Sequence, residues 1–210
     1  MAAVKSEYDA ARGPGAWCDR SHRALLEIRG KDRAAWLHNL CTNQVKPLQA
    51  GDGNYAFFLN VKGRILFDAN LLVQPDTILL DLDRRALPTA LAHLNKFIIM
   101  EEVTITDHSA EWRQIGLIGR AVPIMGALWG FSNAETMADL QSVSISPSPS
   151  QVADSPWRGE GRGEGSRDQN LLLIRHDFCG LPGLQIAGPS DTVAALGQQL
   201  ESTAASTGLR

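Results

Sequence analysis

The stretch that most constrains this chain runs from Gly53 to Leu82, GNYAFFLN-VKG-RILFDANLLV-QPD-TILLDL. Three runs rich in β-branched, aromatic and aliphatic residues are parted by Val61-Lys62-Gly63 and Gln74-Pro75-Asp76. Apolar runs of this length between turn residues read as consecutive antiparallel strands. In the middle run Ile65, Phe67, Ala69, Leu71 and Val73 face one side, and Arg64, Leu66, Asp68, Asn70 and Leu72 face the other. Asp is disfavoured inside strands, so Asp68 is the first residue to explain. It reads either as a proton acceptor or ligand anchor on a sheet face, or as an exposed strand Asp paired with Arg64 or a backbone donor. A two-residue Lys62-Gly63 turn sets Phe57 opposite Asp68, whereas a three-residue turn sets Ala56 there, and both registers stay open.

A chain of 210 residues with 44% apolar composition has ample material for one large or two small cores. Its formal charge of −3 sets up no field for nucleic acid or an anionic membrane. Cys18, Cys41 and Cys179 are too far apart for a disulfide framework or a paired-cysteine metal site, so a reducing, cytoplasmic setting is expected. Glu7, Asp9 and Asp19 interrupt the first 20 residues, so no signal peptide is expected there. No apolar run approaches the roughly 20 residues needed to span a bilayer.

Arg23–Arg29 reads as a strand ending at Gly30, followed by a helical pattern from Lys31. After the meander, Arg84–Phe97 is amphipathic, with Pro88 in its first turn, and Glu102–Asp107 gives a short strand. Trp112–Ile118 then reads as a strand, and Gly119 leads into a small-residue helix containing Ala121, Ile124, Ala127, Leu128 and Trp129. This repeats the strand, glycine, helix order of the first half and points to an internal duplication. Residues 144–168, rich in Ser, Pro and Gly, read as a long mobile loop. Leu171–Arg175 and Leu184–Ala187 read as strands, and Ser190–Ala205 as a closing helix. The expected organisation is α+β, with one half over 17–107, containing the meander at 53–82, and a second over 111–206.

The five histidines show no metal-ligand spacing, and no metal site is expected. Cys179 lies in a turn without a helix N-terminus to lower its pKa, and reads as structural. No glycine-rich phosphate cradle occurs, and GEGRGEG nearly cancels its own charge, against RNA binding.

Leu25-Leu26-Glu27-Ile28-Arg29-Gly30-Lys31-Asp32, then Trp36-Leu37-x-x-Leu40-Cys41-Thr42-Asn43, then Tyr55-x-x-x-Leu59-Asn60-x-x-Gly63-Arg64-Ile65-x-x-Asp68 together resemble the folate-binding T-protein (GcvT) superfamily. That superfamily includes the glycine-cleavage aminomethyltransferases and the YgfZ-type proteins that support iron–sulfur cluster assembly. The resemblance runs from Trp17 to about Ile186. It implies two related ferredoxin-like β-α-β units with antiparallel sheets, and tetrahydrofolate as cofactor. Asp68 is implied to lie near the reactive nitrogen of tetrahydrofolate, as the catalytic or binding carboxylate, with Tyr55, Ile78 and Leu80 as a flat apolar wall for the pterin.

Arg175-x-x-Phe178-x-Gly180-x-x-Gly183-x-Gln185-Ile186 resembles the transferase segment in which an aromatic residue and a Glu contact the pterin, implying Phe178 and Gln185 as further contacts. Phe178 stands where the family has Tyr and keeps the ring without the hydroxyl. Gln185 stands where the family has Glu, and an amide offers one acceptor where a carboxylate offers two. Losing a charge-assisted pair lowers affinity by roughly 5–150-fold. The resemblance therefore favours a folate-binding YgfZ-like accessory protein in iron–sulfur cluster assembly or repair, with folate and iron–sulfur proteins or assembly factors as partners. The second expectation is an aminomethyltransferase-type enzyme, and the third a domain that binds partners but no folate. The family's Lys-Gly-Cys-x-x-Gly-Gln motif and C-terminal barrel have no counterpart before Arg210, so the expectation is the N-terminal folate-binding portion, as part of a longer chain or as a shortened member.

Overall fold

The meander forms as three antiparallel strands, β3 (Gly53–Leu59), β4 (Ile65–Val73) and β5 (Ile78–Asp83), in a computed structural model describing residues 2–123, 126, 136–145, 171–177 and 180–207. They join β2 (Arg23–Arg29) and β6 (Thr104–Asp107) in a five-stranded sheet of order β3-β4-β5-β2-β6. The second five-stranded sheet has order β1-β7-β10-β9-β8, from β1 (Ala16–Asp19), β7 (Trp112–Ile118), β8 (Ser142–Ile145), β9 (Leu171–Arg175) and β10 (Gly183–Pro189). Among the described residues the longer helices are α1 (Ala2–Arg12), α2 (Arg33–Leu40), α3 (Leu87–Asn95) and α4 (Ser190–Thr207). The class is α+β with two antiparallel sheets.

The duplication read from the two glycine turns extends to topology. In the first sheet the opening strand β2 is followed by Gly30, α2 and a meander whose last strand returns beside it, giving β2-β5-β4-β3. In the second, β7 is followed by Gly119, helical residues 121–123 and three strands returning as β7-β10-β9-β8. Each half also lends its leading strand to the other sheet. β1 precedes β2 in the chain but pairs with β7, Ala16 opposite Ile118, while β6 precedes β7 but pairs with β2, Asp107 opposite Leu26.

The chain accordingly divides into one unit of Ser21–Glu111 with Leu140–Ser142, and another of Met1–Arg20, Trp112–Asp139 and Val143–Arg210. The first of these units opens at Ser21, and Trp17 packs on the core of the second sheet. Ser144 and Ile145, expected in the loop, belong to β8, while 146–168 and the helix residues Ile124, Ala127, Leu128 and Trp129 lie outside the described residues.

In the first unit, one face of the sheet packs Leu26, Ile28, Phe58, Phe67, Leu71, Ile78 and Leu80 against Trp36, Leu37, Ala90 and Leu94 of α2 and α3. Phe58 and Phe67 stack at 4.4 Å between ring centroids. The turn from β2 into α2 needs a glycine: Gly30 has φ +108°, and a Cβ there would lie 1.9 Å from the Glu102 carbonyl oxygen. Leu25, Leu72 and Leu79, on the opposite face, are buried as well. Asn70 and Asp81, the buried polar groups among them, therefore have little access to bulk water and need partners of their own.

Candidate functional site

The β3–β4 register sets Phe57 opposite Asp68. The turn is longer than two residues: Asn60 N–H donates to Arg64 O, and Gly63, at φ +73°, donates to Asn60 O. A bulge beside Leu66 then restores the pairing, with Leu59 opposite Ile65 and Phe58 opposite Phe67. Asp68 thereby stands half-buried on the second face of the sheet. The Tyr55 hydroxyl donates to Asp68 Oδ2 at 2.8 Å, and Asp68 accepts no other hydrogen bond among the described residues. Arg64 does not pair with it. Partial burial, together with the hydrogen bond and charge of Asp68, raises the Tyr55 phenol above its ordinary pKa, so it remains the donor.

Tyr55, 42% exposed, meets Phe57 edge-to-face at 5.1 Å, giving an aromatic wall beside the carboxylate. The loop after α2 fixes that wall from the sheet edge. Thr42 N–H donates to Phe57 O and Thr42 Oγ1 accepts from Phe57 N–H, while Asn43 Nδ2 donates to Tyr55 O at 2.9 Å. Tyr55, named by resemblance for the apolar wall, and Asp68, named as the carboxylate, thus stand together on one face.

Ile78 and Leu80 are not part of that wall. Leu80 pairs with Leu71, and both Ile78 and Leu80 point into the core on the other face. Their neighbours Leu79 and Asp81 share the face of Asp68, because side chains alternate along β5 and Asn70 pairs with Asp81.

Asp81 heads a polar group that sequence reading did not single out. It is 1% exposed and accepts from Arg23 Nε at 2.9 Å, Arg23 Nη2 at 3.0 Å and Asn70 Nδ2 at 2.9 Å. Arg23 Nη2 also donates to the Asp81 carbonyl at 2.8 Å. Asn70 in turn pairs directly with Tyr55 across the β3–β4 ladder. Arg23, Asp81, Asn70, Tyr55 and Asp68 therefore form one polar row across four strands. The available signal was a second aspartate inside an apolar strand run, ILLDLD.

Gln185 belongs to the second unit, on β10, opposite Gly116 and Ile174. It is 1% exposed; its Nε2 donates to Gln114 Oε1 at 2.6 Å and its own Oε1 is buried without a partner. Phe178 and Cys179 lie outside the described residues. Cys41 sits half-buried beside β3, and burial raises its thiol pKa, against nucleophilic use. Among the described residues no cluster of His, Cys, Asp or Glu could hold a metal ion, and no helix is long and apolar enough to cross a membrane.

The chain is similar to several known proteins. The family model of the GCVT N-terminal domain matches residues 1–160. The mitochondrial iron-sulfur cluster assembly factor IBA57 homolog of Mycosarcoma maydis is 33% identical over 107 residues, covering 45% of this chain and 27% of that protein. An aminomethyltransferase of Cupriavidus pinatubonensis is 25% identical over 210 residues, covering 93% of this chain and 51% of that protein. This chain thus spans between about a quarter and a half of the length of these two relatives. The crystal structure of glycine cleavage system aminomethyltransferase T from Bartonella henselae superposes with a TM-score of 0.78 at 19% identity, covering 99% of this chain and 50% of that one. The chain belongs to the GCVT N-terminal domain family.

Proposed function

We propose that this member of the GCVT N-terminal domain family binds tetrahydrofolate on the Tyr55–Asp68 face of its first sheet, as an accessory protein in iron–sulfur cluster assembly or repair. The observation that carries the binding reading is Asp68. It is a half-buried mid-strand carboxylate with one oxygen held by Tyr55, the other accepting no hydrogen bond among the described residues, and an aromatic pair beside it. That donor and acceptor set fits a flat heterocycle carrying N–H groups: the rings supply a stacking or edge surface, and the carboxylate accepts a charge-assisted hydrogen bond. When bound, tetrahydrofolate supplies the nitrogens that carry a one-carbon unit. Asp68 orients the N–H-bearing edge, Tyr55 holds the carboxylate in place, and Thr42 and Asn43 hold Tyr55 and Phe57.

The iron–sulfur role draws on relatives of the name, in Mycosarcoma maydis, Mus musculus and Homo sapiens, each 33–35% identical over a segment of this chain. A second reading, one-carbon transfer from an aminomethyl donor, is favoured by the aminomethyltransferase relatives. Under it Asp68 would accept a proton from the amine. Gln185, where the resemblance expects Glu, weighs toward the accessory role.

Calorimetric titration with tetrahydrofolate, run beside Asp68→Ala, tests the binding site. Saturable binding weakened about 10–100-fold by the substitution is expected, the equivalent of one charge-assisted hydrogen bond. Equal affinity in the folded variant would sink the assignment. Formation of 5,10-methylenetetrahydrofolate from an aminomethyl donor would decide for the transferase.

A further inference from the structure

In the second sheet β1 is an edge strand, and two hydrogen bonds set which of its main-chain groups are open. Gly119 N–H donates to Pro182 O on the β10 side of β7, so the main-chain groups of Ile118, Gly116 and Gln114 face β1. Arg20 N–H, donating to Gln114 O, follows the same alternation. Ala16 and Cys18, opposite Ile118 and Gly116, therefore direct their N–H and C=O groups at β7. Trp17, between them, turns both of its main-chain groups outward, and neither has a hydrogen-bond partner among the described residues. Gly15 N–H donates to Ala10 O, so the end of α1 closes the edge just before Ala16.

The helix does not fill the space beside that edge. A cavity of about 540 Å³ lies between α1 and β1, within the range of sites that hold a ligand. Ser6, Glu7 and Ala11 line it from α1, and Ala16, Cys18 and Ile118 from the sheet. The three sheet residues share one face, since Ala16 pairs with Ile118 and side chains alternate. Trp17 turns its ring to the other face, onto the core of this unit. Ala11 lies at the Ile118–Gly119 end, where its carbonyl sits 2.6 Å from the place of a Gly119 Cβ. Glu7, one helical turn earlier, stands about 6 Å farther along, toward Cys18. It is exposed and has no ion-pair partner among the described residues.

We propose that the groove between α1 and β1 binds an extended segment of a partner protein, added as a strand antiparallel to β1. An N–H and a C=O presented by one residue are met by one residue of an antiparallel chain, which returns both bonds. The neighbours of that residue stand opposite Ala16 and Cys18, so their side chains enter the cavity from the same face. The space beside Ala11 and Ala16 takes a small branched apolar side chain. The Cys18 end takes a lysine or arginine, its stem along the apolar wall and its charge at Glu7. In chain order the segment therefore reads basic, any, apolar, opposite Cys18, Trp17 and Ala16. All these residues belong to the second unit, and the proposal does not rest on the folate reading.

The probe is the capped peptide acetyl-Thr-Lys-Thr-Val-Thr-amide, titrated into the isotope-labelled full chain while the Trp17 amide is followed by NMR. Saturable binding is expected, with hydrogen exchange at Trp17 N–H slowed about tenfold at saturation. N-methylation of the central threonine removes the donor to Trp17 O and should weaken binding about tenfold. Glu7→Lys, at an exposed position, should weaken it about fivefold. Cys18→Phe fills the cavity and should abolish binding in a chain that thermal melts show to be folded. Unchanged Trp17 exchange at about 10 mM peptide, or equal affinity for the N-methylated peptide, would overturn the proposal. Protection of Trp17 that grows with protein concentration in the absence of peptide would assign the edge to a second copy of the chain, and would overturn it as well.

Discussion

Replacing Asp81 by Leu should be among the most damaging single changes in the first unit. The carboxylate is 1% exposed and takes three side-chain hydrogen bonds, so water cannot stand in for what is lost. Arg23 is itself only 14% exposed and would keep just its bond to the residue-81 backbone carbonyl. Removing one partner of a buried pair typically costs about 3–5 kcal/mol, because the remaining charge stays desolvated. Against a total stability on the order of 5–15 kcal/mol, that is a large fraction. Arg23→Met should cost a similar amount, as it takes from Asp81 its two guanidinium hydrogen bonds and their charge. The double variant removes both charges, so its remaining loss is chiefly the unpaired Asn70 amide, about 1–3 kcal/mol. The cycle is read from urea unfolding followed by fluorescence of Trp36, which is buried in this unit's core. It should show a coupling of at least about 3 kcal/mol. Additive single and double effects would refute the view that the pair acts as one desolvated unit.

Other outcomes follow from the same geometry. Tyr55→Phe removes the donor to Asp68 from a largely exposed ring, so stability should change by less than about 1 kcal/mol, while titration shows weaker tetrahydrofolate binding. Glu27 is partly desolvated, which opposes its charge, but hydrogen bonds from Arg29 and His108 outweigh this and hold its carboxyl below the ordinary 4.5. A depressed folded-state pKa gives stability that is present above about pH 4.5 and lost as pH falls through the folded value. Glu27→Gln should flatten the acid limb of stability against pH below about pH 4.5. Gly30→Ala forces a Cβ 1.9 Å from the Glu102 carbonyl at a positive φ, and should lower unfolding stability by more than about 2 kcal/mol. Gln185→Glu buries a carboxylate where an amide is 1% exposed; about 1–3 kcal/mol should be lost at neutral pH, recovered in acid melts as the carboxyl protonates.

The meander and the anomaly of Asp68 were legible because both are local: alternation within one strand puts a carboxylate where a strand disfavours it. The register was not, since the bulge beside Leu66 offsets a turn longer than two residues, and neither is encoded in the alternation itself. The same limit explains Ile78 and Leu80. A strand's own pattern separates its two faces but does not say which face matches Asp68; only the Asn70–Asp81 pairing does. Arg23 was out of reach for another reason, lying 58 residues from the carboxylate it binds. The duplication was faintly visible in two strand–glycine–helix turns. The exchange of leading strands was hidden, because β1 spans only four residues.

Crystals of the chain grown with a stable tetrahydrofolate test the central claim most directly. The account predicts density for the reduced ring on the Tyr55–Phe57 wall, with one ring N–H within about 3 Å of Asp68 Oδ1. Density seated elsewhere, with Asp68 bonded only to Tyr55, would contradict it.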